Sequence, residues 1–339
     1  MVVAVPVLAV VGTSPPAGAD PARPTDHQSR IVTVEPALPP GVELEVVGGD
    51  SFLELDVSPG HTAEVPDYAS GDGPTRTYLR FGDDGTVERN EHSAAASANE
   101  DRYGGSGEAH IDDEPRWVEV GDDGAYAWHD HRIHWMLPDR DPAVDDDGRV
   151  DLGGPDGTWT VDLVVDGRPT TVTGELVILD PPSPLPWVGL MLVTAAVVVG
   201  VVLRLCSRAR AYRLVAAALT VGAAAAVAVG VGEWRTVPAG AGGSALPALV
   251  PAVGLLAGAV ALVAPPSAGR LRLIALAAAA AALGGWALVR RAVLTRAVLP
   301  TNLPPGLDRA GTALALGLAV GVAVVLVWRP PVSTARSSA

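Results

Sequence analysis

The stretch LDPPSPLPWVGLMLVTAAVVVGVVLR, residues 179–204, marks the place where this chain changes character. Its first part is the Pro-rich segment 181–185, and no charged residue occurs between Asp180 and Arg204. An apolar run of roughly 20 residues is what an α-helix needs to cross a hydrocarbon core ~30 Å thick. The sequence therefore predicts a linker at 181–185 and a first transmembrane helix at about 186–203.

Four more charge-free runs follow, and they predict helices at about 214–232, 246–264, 273–289 and 310–328. All five spans are rich in Ala, Gly, Val and Leu, and none contains Asp, Glu, His, Arg or Lys. Small residues favour close helix packing, whereas transport and redox sites normally need polar groups inside the membrane. We therefore predict an all-α bundle of five transmembrane helices within 186–329, and we disfavour a transporter or a membrane-embedded enzyme.

The charge of the chain divides at the same place. Residues 1–185 hold 11 Arg against 36 Asp and Glu, whereas residues 186–339 hold 13 Arg against two acidic residues, and Lys is absent. A strongly acidic polar half would repel phosphate, so we exclude nucleic acid as a partner. The single cysteine, Cys206, excludes a disulfide scaffold and a zinc site built from Cys.

The placement of arginine predicts the orientation in the membrane. The loop after the first span holds the densest basic cluster, which consists of Arg204, Arg208, Arg210 and Arg213. Eight arginines lie on that side of the predicted bundle, and five, including Arg290, Arg291 and Arg296, lie on the other. Because basic loops tend to stay in the cytoplasm, we expect a multi-pass plasma-membrane protein with an extracytoplasmic N-terminal half. The tail, residues 330–339, is then cytoplasmic.

Residues 1–19 resemble a secretory signal. Residues 2–12 are apolar, and Ala17, Gly18 and Ala19 supply the small residues that favour cleavage before Asp20. The alternative is an N-terminal strand of the soluble domain.

Residues 20–180 predict an all-β extracytoplasmic domain, an Ig-like β-sandwich. Runs with β-branched or alternating apolar residues occur at 31–34, 42–47, 52–57, 77–81, 117–120, 126–136, 159–165 and 169–179. Asp-Gly pairs at 84–85, 123–124 and 166–167 predict type I′ hairpin turns. Polar segments at 89–115 and 139–157 predict long loops.

The segment YAWHDHRIHWM, residues 126–136, holds three of the seven histidines. On a strand, His129 and His131 point to one face, about 6–7 Å apart, and two imidazoles so placed can share copper or zinc. His134 and Met136 fall on the opposite face unless a bulge intervenes, and the sulfur of Met136 suits copper. These four residues are our predicted metal ligands. The alternative is a sandwich strand whose polar side chains only make hydrogen bonds.

Two local motifs resemble the CopC-like copper-resistance domain. His27 ahead of VEPALPPG, residues 34–41, is similar to that family's opening His and its Pro-Ala-x-Gly segment. The run VDGRP, residues 165–169, is similar to its closing Asp-Gly-His-Pro strand pair, with Asp166 matching and Arg168 replacing the His. The whole chain also resembles a group of uncharacterised actinobacterial membrane proteins whose outer domain carries a Trp-His-Asp-His-Arg-x-His-Trp segment. The first resemblance implies a membrane-anchored copper-binding sandwich, and the second implies no activity.

From these observations we expect an integral membrane protein that presents an acidic β domain and binds copper or another metal in the cell envelope. Its expected partners are the lipid bilayer and other envelope or copper-handling proteins. No spacing indicates a nucleophile with its base, so we expect no enzyme activity. The alternative that stays open is a structural or protein-interaction module of an envelope complex that holds no metal.

Overall fold

The computed structural model describes residues 22–68, 76–99, 102–103, 114–137, 139–204, 207–238, 244–265 and 267–328. The signal-like segment 1–19 and the tail 330–339 lie outside these ranges, so both predictions stay predictions.

The N-terminal half of the described chain forms eleven strands and one short helix. They are β1 (His27–Glu35), β2 (Val42–Val47), β3 (Phe52–Val57), β4 (Ala63–Pro66), β5 (Thr77–Phe81), β6 (Val87–Asn90), α1 (Ala94–Ala98), β7 (Trp117–Gly121), β8 (Ala125–His129), β9 (Arg149–Val150), β10 (Trp159–Val165) and β11 (Arg168–Ile178). The ends of β2, β3, β5 and β10 agree with the predicted runs. Strands β4, β6 and β9 were not predicted, because two to four residues are too few to show an alternating pattern.

The strands form two antiparallel sheets that enclose one core. The larger sheet has the order β1-β11-β10-β4-β5-β6-β7, with β9 added beside β11, and the smaller has the order β2-β3-β8. Strand β10 shows the packing, because Trp159, Val161, Leu163 and Val165 are buried while Thr160 points to solvent. This alternation is typical of a sheet with one face in the core, and the predicted β-sandwich is confirmed.

The Asp-Gly turns differ from one another. Between β10 and β11 the two-residue turn has φ of 51° at Asp166 and 72° at Gly167, as a type I′ turn requires. The other two connections are longer, and there only the glycines, Gly85 and Gly124, have positive φ. Type I′ was therefore the wrong prediction at 84–85 and 123–124, because that turn joins strands separated by two residues. A Cβ at Gly124 would lie 2.3 Å from the carbonyl oxygen of Val57, so the close approach of the chain requires glycine there.

Among the described residues of the C-terminal half, five helices are long and apolar enough to cross a membrane. They are α2 (Leu185–Arg204), α3 (Arg208–Arg235), α4 (Leu246–Val263), α5 (Gly269–Val289) and α6 (Pro305–Trp328). Helix α3 packs against α4, and α2 packs against α6. Each predicted span lies in one of these helices to within one residue at either end, and an integral membrane protein with a five-helix bundle fits the structure.

Helices α3 and α6 extend beyond their predicted spans and bring charge into the bundle. Arg290, at the end of α5, pairs with Glu233 of α3 and contacts both carboxylate oxygens of Asp308 in α6 at 2.7 and 2.9 Å. Arg290 and Asp308 are buried. The prediction of charge-free spans is correct for the span interiors, but it missed this ion cluster one turn beyond their ends.

The β domain contacts the bundle at the same end. Thr25 forms an antiparallel bridge with Val298 in the loop between α5 and α6. The carboxylate of Asp26 accepts hydrogen bonds from the guanidinium of Arg296 at 2.5 Å and from the backbone N–H of Ala297 at 2.8 Å. These contacts attach the segment that leads into β1 to the helical half.

Candidate metal centre

The His-rich segment is not the single strand that its sequence predicted. Strand β8 ends at His129, and residues 131–133 form one 3-10 turn whose N-cap is Asp130. The Asp130 carboxylate accepts hydrogen bonds from the backbone N–H and the guanidinium of Arg132 and from the indole N–H of Trp128. An Asp that captures the N–H groups following it favours a turn over a continuing strand, which explains the difference.

This turn brings the three histidines of the segment together. The ring centroids of His129 and His131 lie 5.5 Å apart, those of His129 and His134 4.7 Å, and those of His131 and His134 5.4 Å. One ring nitrogen from each lies within 4.8 Å of the others. On a continuous strand His134 would have faced away from the other two histidines, but the 3-10 turn interrupts the strand and directs His134 towards them.

Two of the imidazoles are oriented by backbone carbonyls. Nδ1 of His129 lies 2.5 Å from the carbonyl oxygen of Ser51, and Nδ1 of His134 lies 3.1 Å from that of Trp135. A carbonyl only accepts, so each Nδ1 carries the proton and each Nε2 keeps its lone pair. Both Nε2 atoms are buried and have no hydrogen-bond partner among the described residues. A carbonyl on one ring nitrogen and a free lone pair on the other is the arrangement of metal-bound histidines.

Burial keeps these two side chains neutral. Desolvation, assisted by the charge of Arg102 and the neighbouring His129, lowers the pKa of His134 to about 3. Desolvation likewise lowers the pKa of His129 below its ordinary value. Neutral imidazole is the form that binds metal, so His129 and His134 need no deprotonation at neutral pH.

His131 is half-buried and is placed by Tyr68. The Tyr68 hydroxyl accepts the backbone N–H of His131 at 3.0 Å and donates to Oδ1 of Asn99 at 2.6 Å. The rings of Tyr68 and His131 stack with centroids 6.4 Å apart. The third imidazole therefore rests against a fixed aromatic ring.

Both carboxylates beside the histidines already have cationic partners. Asp130 is paired with Arg132 at 2.6 Å. Asp50, which is fully buried, lies 2.5 Å from Nη2 of Arg102 and 3.6 Å from Nδ1 of His27. Although burial opposes its ionisation, His27 and Arg102 hold the pKa of Asp50 below its usual range. The charge of each carboxylate is thus balanced by an arginine, although Oδ1 of Asp50 has no hydrogen-bond partner among the described residues.

A cavity of about 490 Å³ adjoins the cluster. Its wall beside the histidines is formed by Ser51, Arg102, Tyr103 and His129, and the cavity extends to Arg296 at the contact with the bundle. Space for an additional ligand therefore lies next to His129.

Of the remaining predicted positions, His27 reaches the surroundings of the cluster through Asp50, and Met136 and Asp166 make no described contact with the three histidines. Met136 is half-buried two residues after His134, and its role as a ligand stays a prediction. The two positions that carry the CopC-like resemblance lie at opposite ends of β11, because His27 pairs with Ile178 while Asp166 forms the turn before Arg168. Asp166 instead pairs with His61 at 2.8 Å.

Sequence reasoning missed the residues that hold the histidines in place. These residues, Asp50, Ser51 and Arg102, are far from residues 129–134 in the chain. Nothing in their local sequence indicates that they lie beside the histidines. Pairing of β3 with β8, which sets Phe52 opposite His129, produces it. The turn itself had a local signal, because Asp is a common N-cap residue.

No protein-family model matches the chain, and no curated protein or solved structure shows significant similarity to it. Function is therefore inferred from the geometry of the histidine cluster.

Proposed function

We propose that the protein binds a transition-metal ion, copper or zinc, through His129, His131 and His134. We further propose that it is a multi-pass plasma-membrane protein whose β domain is extracytoplasmic, and that it handles metal in the cell envelope without catalysing a reaction. Other envelope or copper-handling proteins would be its partners.

Metal binding is supported best by the buried Nε2 atoms of His129 and His134, which have no partner among the described residues. A buried polar atom without a hydrogen bond costs on the order of 1–3 kcal/mol, and here two such atoms belong to one three-histidine cluster. A metal ion would satisfy both with one set of bonds. Purely structural histidines would be expected to have partners for both ring nitrogens.

The ligand chemistry favours copper or zinc over calcium or magnesium. Imidazole nitrogen suits Zn(II) and Cu(II), whereas Ca²⁺ and Mg²⁺ prefer oxygen ligands. The nearest carboxylates, Asp50 and Asp130, are paired with arginines. Copper has the higher intrinsic affinity for such sites, and the resemblance noted in the sequence points the same way.

The test is isothermal titration calorimetry of the metal-free, full-length protein in detergent micelles with Cu(II) and with Zn(II). We expect one ion per chain and a Kd below about 0.1 mM, equivalent to more than about 5 kcal/mol of binding free energy. The double variant His129→Ala/His134→Ala should lose this binding.

The matched control is His92→Ala, which removes a histidine of the same domain that is not part of the cluster. It should bind metal like the wild type. Equal binding by the double variant, or no binding by the wild type, would contradict the proposal. A double variant that only loses thermal stability, with no effect of metal on either protein, would instead support the structural interpretation.

A further inference from the structure

We infer that the metal ion binds together with a small anion, a carbonate or a carboxylate group, which fills a fourth coordination position and contacts Arg102. This inference rests on the proposed metal site, and it adds that the ion binds there as a pair with an anion.

The balance of charge at the site favours an added anion. Three neutral imidazoles contribute no negative charge, so a divalent ion would bring two positive charges next to the guanidinium of Arg102. Burying charge without compensation is unfavourable. Asp130 is already paired with Arg132, and Asp50 already faces both Arg102 and His27. An anion brought with the metal would restore the balance.

Three histidines leave one coordination position of the metal ion unfilled. Zn(II) in proteins is nearly always four-coordinate, and where the protein supplies three ligands, water or an exogenous ligand takes the fourth position. The described residues supply three ligand atoms to this group, one from each histidine. The fourth position is therefore left to a ligand from outside this group of three histidines.

The cavity beside His129 offers space for an anion and a guanidinium that can bind it. The cavity of about 490 Å³ beside His129 has room for a small anion, and Arg102 forms part of its wall. The contact of Arg102 with Asp50 is made through one terminal nitrogen, Nη2. A guanidinium carries five N–H donors in a planar fork that fits carboxylate oxygens, so Arg102 is suited to bind an anion while it holds Asp50.

Two carboxylates line the same cavity, Asp26, which is paired with Arg296, and Asp141. Asp141 is exposed on its wall and belongs to the segment before β9. If Asp141 supplied the fourth ligand, metal binding would not depend on added anion. The dependence on anion therefore distinguishes the two sources of negative charge.

The experiment measures Cu(II) affinity of the full-length protein by calorimetry, in a carbonate-free, non-coordinating buffer and in the same buffer with bicarbonate or acetate. We expect the affinity of the wild type to rise about tenfold or more when either anion is added. In Arg102→Gln the anion effect should shrink to about twofold or less. The same variant should bind Cu(II) more tightly than the wild type without anion, because the repelling charge is gone.

Two further measurements make the result independent of how well Arg102→Gln folds. Arg102→Lys keeps the charge but loses the planar fork, so it should retain the weak anion-free affinity and only part of the anion effect. Electron–nuclear double resonance of the wild type with Cu(II) and ¹³C-bicarbonate should show a ¹³C coupling from the metal's first coordination sphere. The control variant Arg140→Gln, exposed in the same domain, should behave like the wild type.

The outcomes separate the two proposals. Cu(II) binding that does not change with anion, or the absence of a ¹³C coupling, would overturn the anion inference and leave the metal site standing. A full anion effect in Arg102→Gln would overturn the role of Arg102. No Cu(II) binding in either buffer would overturn the proposed function itself.

Discussion

Asp130 decides both the path of the chain and the meeting of the histidines. Its buried carboxylate accepts from Trp128, which precedes it, and from Arg132, which follows it. These contacts end β8 and turn the chain within four residues, so that His134 returns beside His129. One carboxylate in the interior, fully supplied with donors, thus places a cluster of imidazoles that a continuous strand would have split between two faces.

We predict that the metal-free β domain loses stability as the pH falls from 7 to 5. His134 has a pKa of about 3 in the folded chain, whereas an unfolded histidine titrates near 6.5. The unfolded chain therefore takes up the proton first, so stability present above pH 6.5 declines steadily towards pH 3. By pH 5 the titration of His134 should lower the free energy of unfolding by about 2 kcal/mol. The lowered pKa of His129 changes the stability in the same direction.

Thermal unfolding of the metal-free protein at pH 7 and pH 5 measures this effect. The carboxylates of Asp50 and Asp130 have lowered pKa values, so they stay ionised in this range. Burial and the charges of Glu45 and Asp56 raise the pKa of Glu54, which acts in the opposite direction in the wild type and in His134→Gln alike, so comparing the two proteins isolates His134. The variant His134→Gln should show a shallower dependence on pH than the wild type, and His92→Ala should not. An unchanged pH dependence in His134→Gln would show that the buried imidazole does not cause the loss of stability at pH 5.

The composition of the site could be predicted from the sequence, but its geometry could not. The three histidines were identified because they lie within six positions of one another. Their arrangement follows from the turn at Asp130 and from Ser51, which strand pairing brings to His129 from 78 residues away. A contact of that range depends on sheet register, and a local pattern carries no information about it.

At the scale of the elements, the sequence predicted the strands and helices whose apolar residues repeat regularly. It missed the elements that lack such a repeat. Strands β2, β3, β5 and β10 agree at both ends because five to seven residues suffice to show alternation. Helix α1 is five residues long and lies in the segment predicted as a loop. It is started by Ser93 as N-cap and by backbone N–H groups that donate to Asp67, a residue distant in the chain. Helices that depend on such tertiary contacts leave little trace in local sequence.

The small residues of the helices permit close contacts, as their composition predicted. A Cβ at Gly230 of α3 would lie 2.1 Å from the carbonyl oxygen of Pro247 in α4. That carbonyl also accepts the indole N–H of Trp286 in α5 at 2.8 Å. Three helices thus meet at a point where only glycine leaves enough room.

We predict that Gly230→Ala destabilises the bundle by about 1–3 kcal/mol, because α4 must move away and the bond to Trp286 must stretch. Gly285→Ala in α5 is the matched control, since a Cβ there would meet no atom within 4 Å. It should be neutral or slightly stabilising, because Ala has the higher helix propensity. Thermal unfolding in detergent, followed by circular dichroism at 222 nm, compares the two. Equal midpoints for both variants would show that α3 and α4 are not in this contact.

For the whole molecule, the structure explains why arginines occur at both ends of the bundle. At the end facing the β domain, Arg290 is neutralised by Glu233 and Asp308, and Arg296 by Asp26. Arg309 donates to three backbone carbonyls in the loop between α5 and α6. The helical half has no other acidic residue than Glu233 and Asp308, so its opposite end has none to neutralise the basic loop after α2. The excess of positive charge therefore lies at the end remote from the β domain.

This distribution sharpens the prediction of orientation: the loop between α2 and α3 should be cytoplasmic and the β domain extracytoplasmic. The test replaces the single native cysteine, Cys206, with Ser and introduces one cysteine at an exposed serine. Ser58→Cys reports on the β domain, and Ser207→Cys reports on the loop before α3. In intact cells a membrane-impermeant maleimide should label position 58 and spare position 207, and permeabilised cells should show both. The permeabilised sample is the control, because it proves that position 207 can react. Labelling of position 207 in intact cells would reverse the orientation and would place the histidine cluster on the cytoplasmic side.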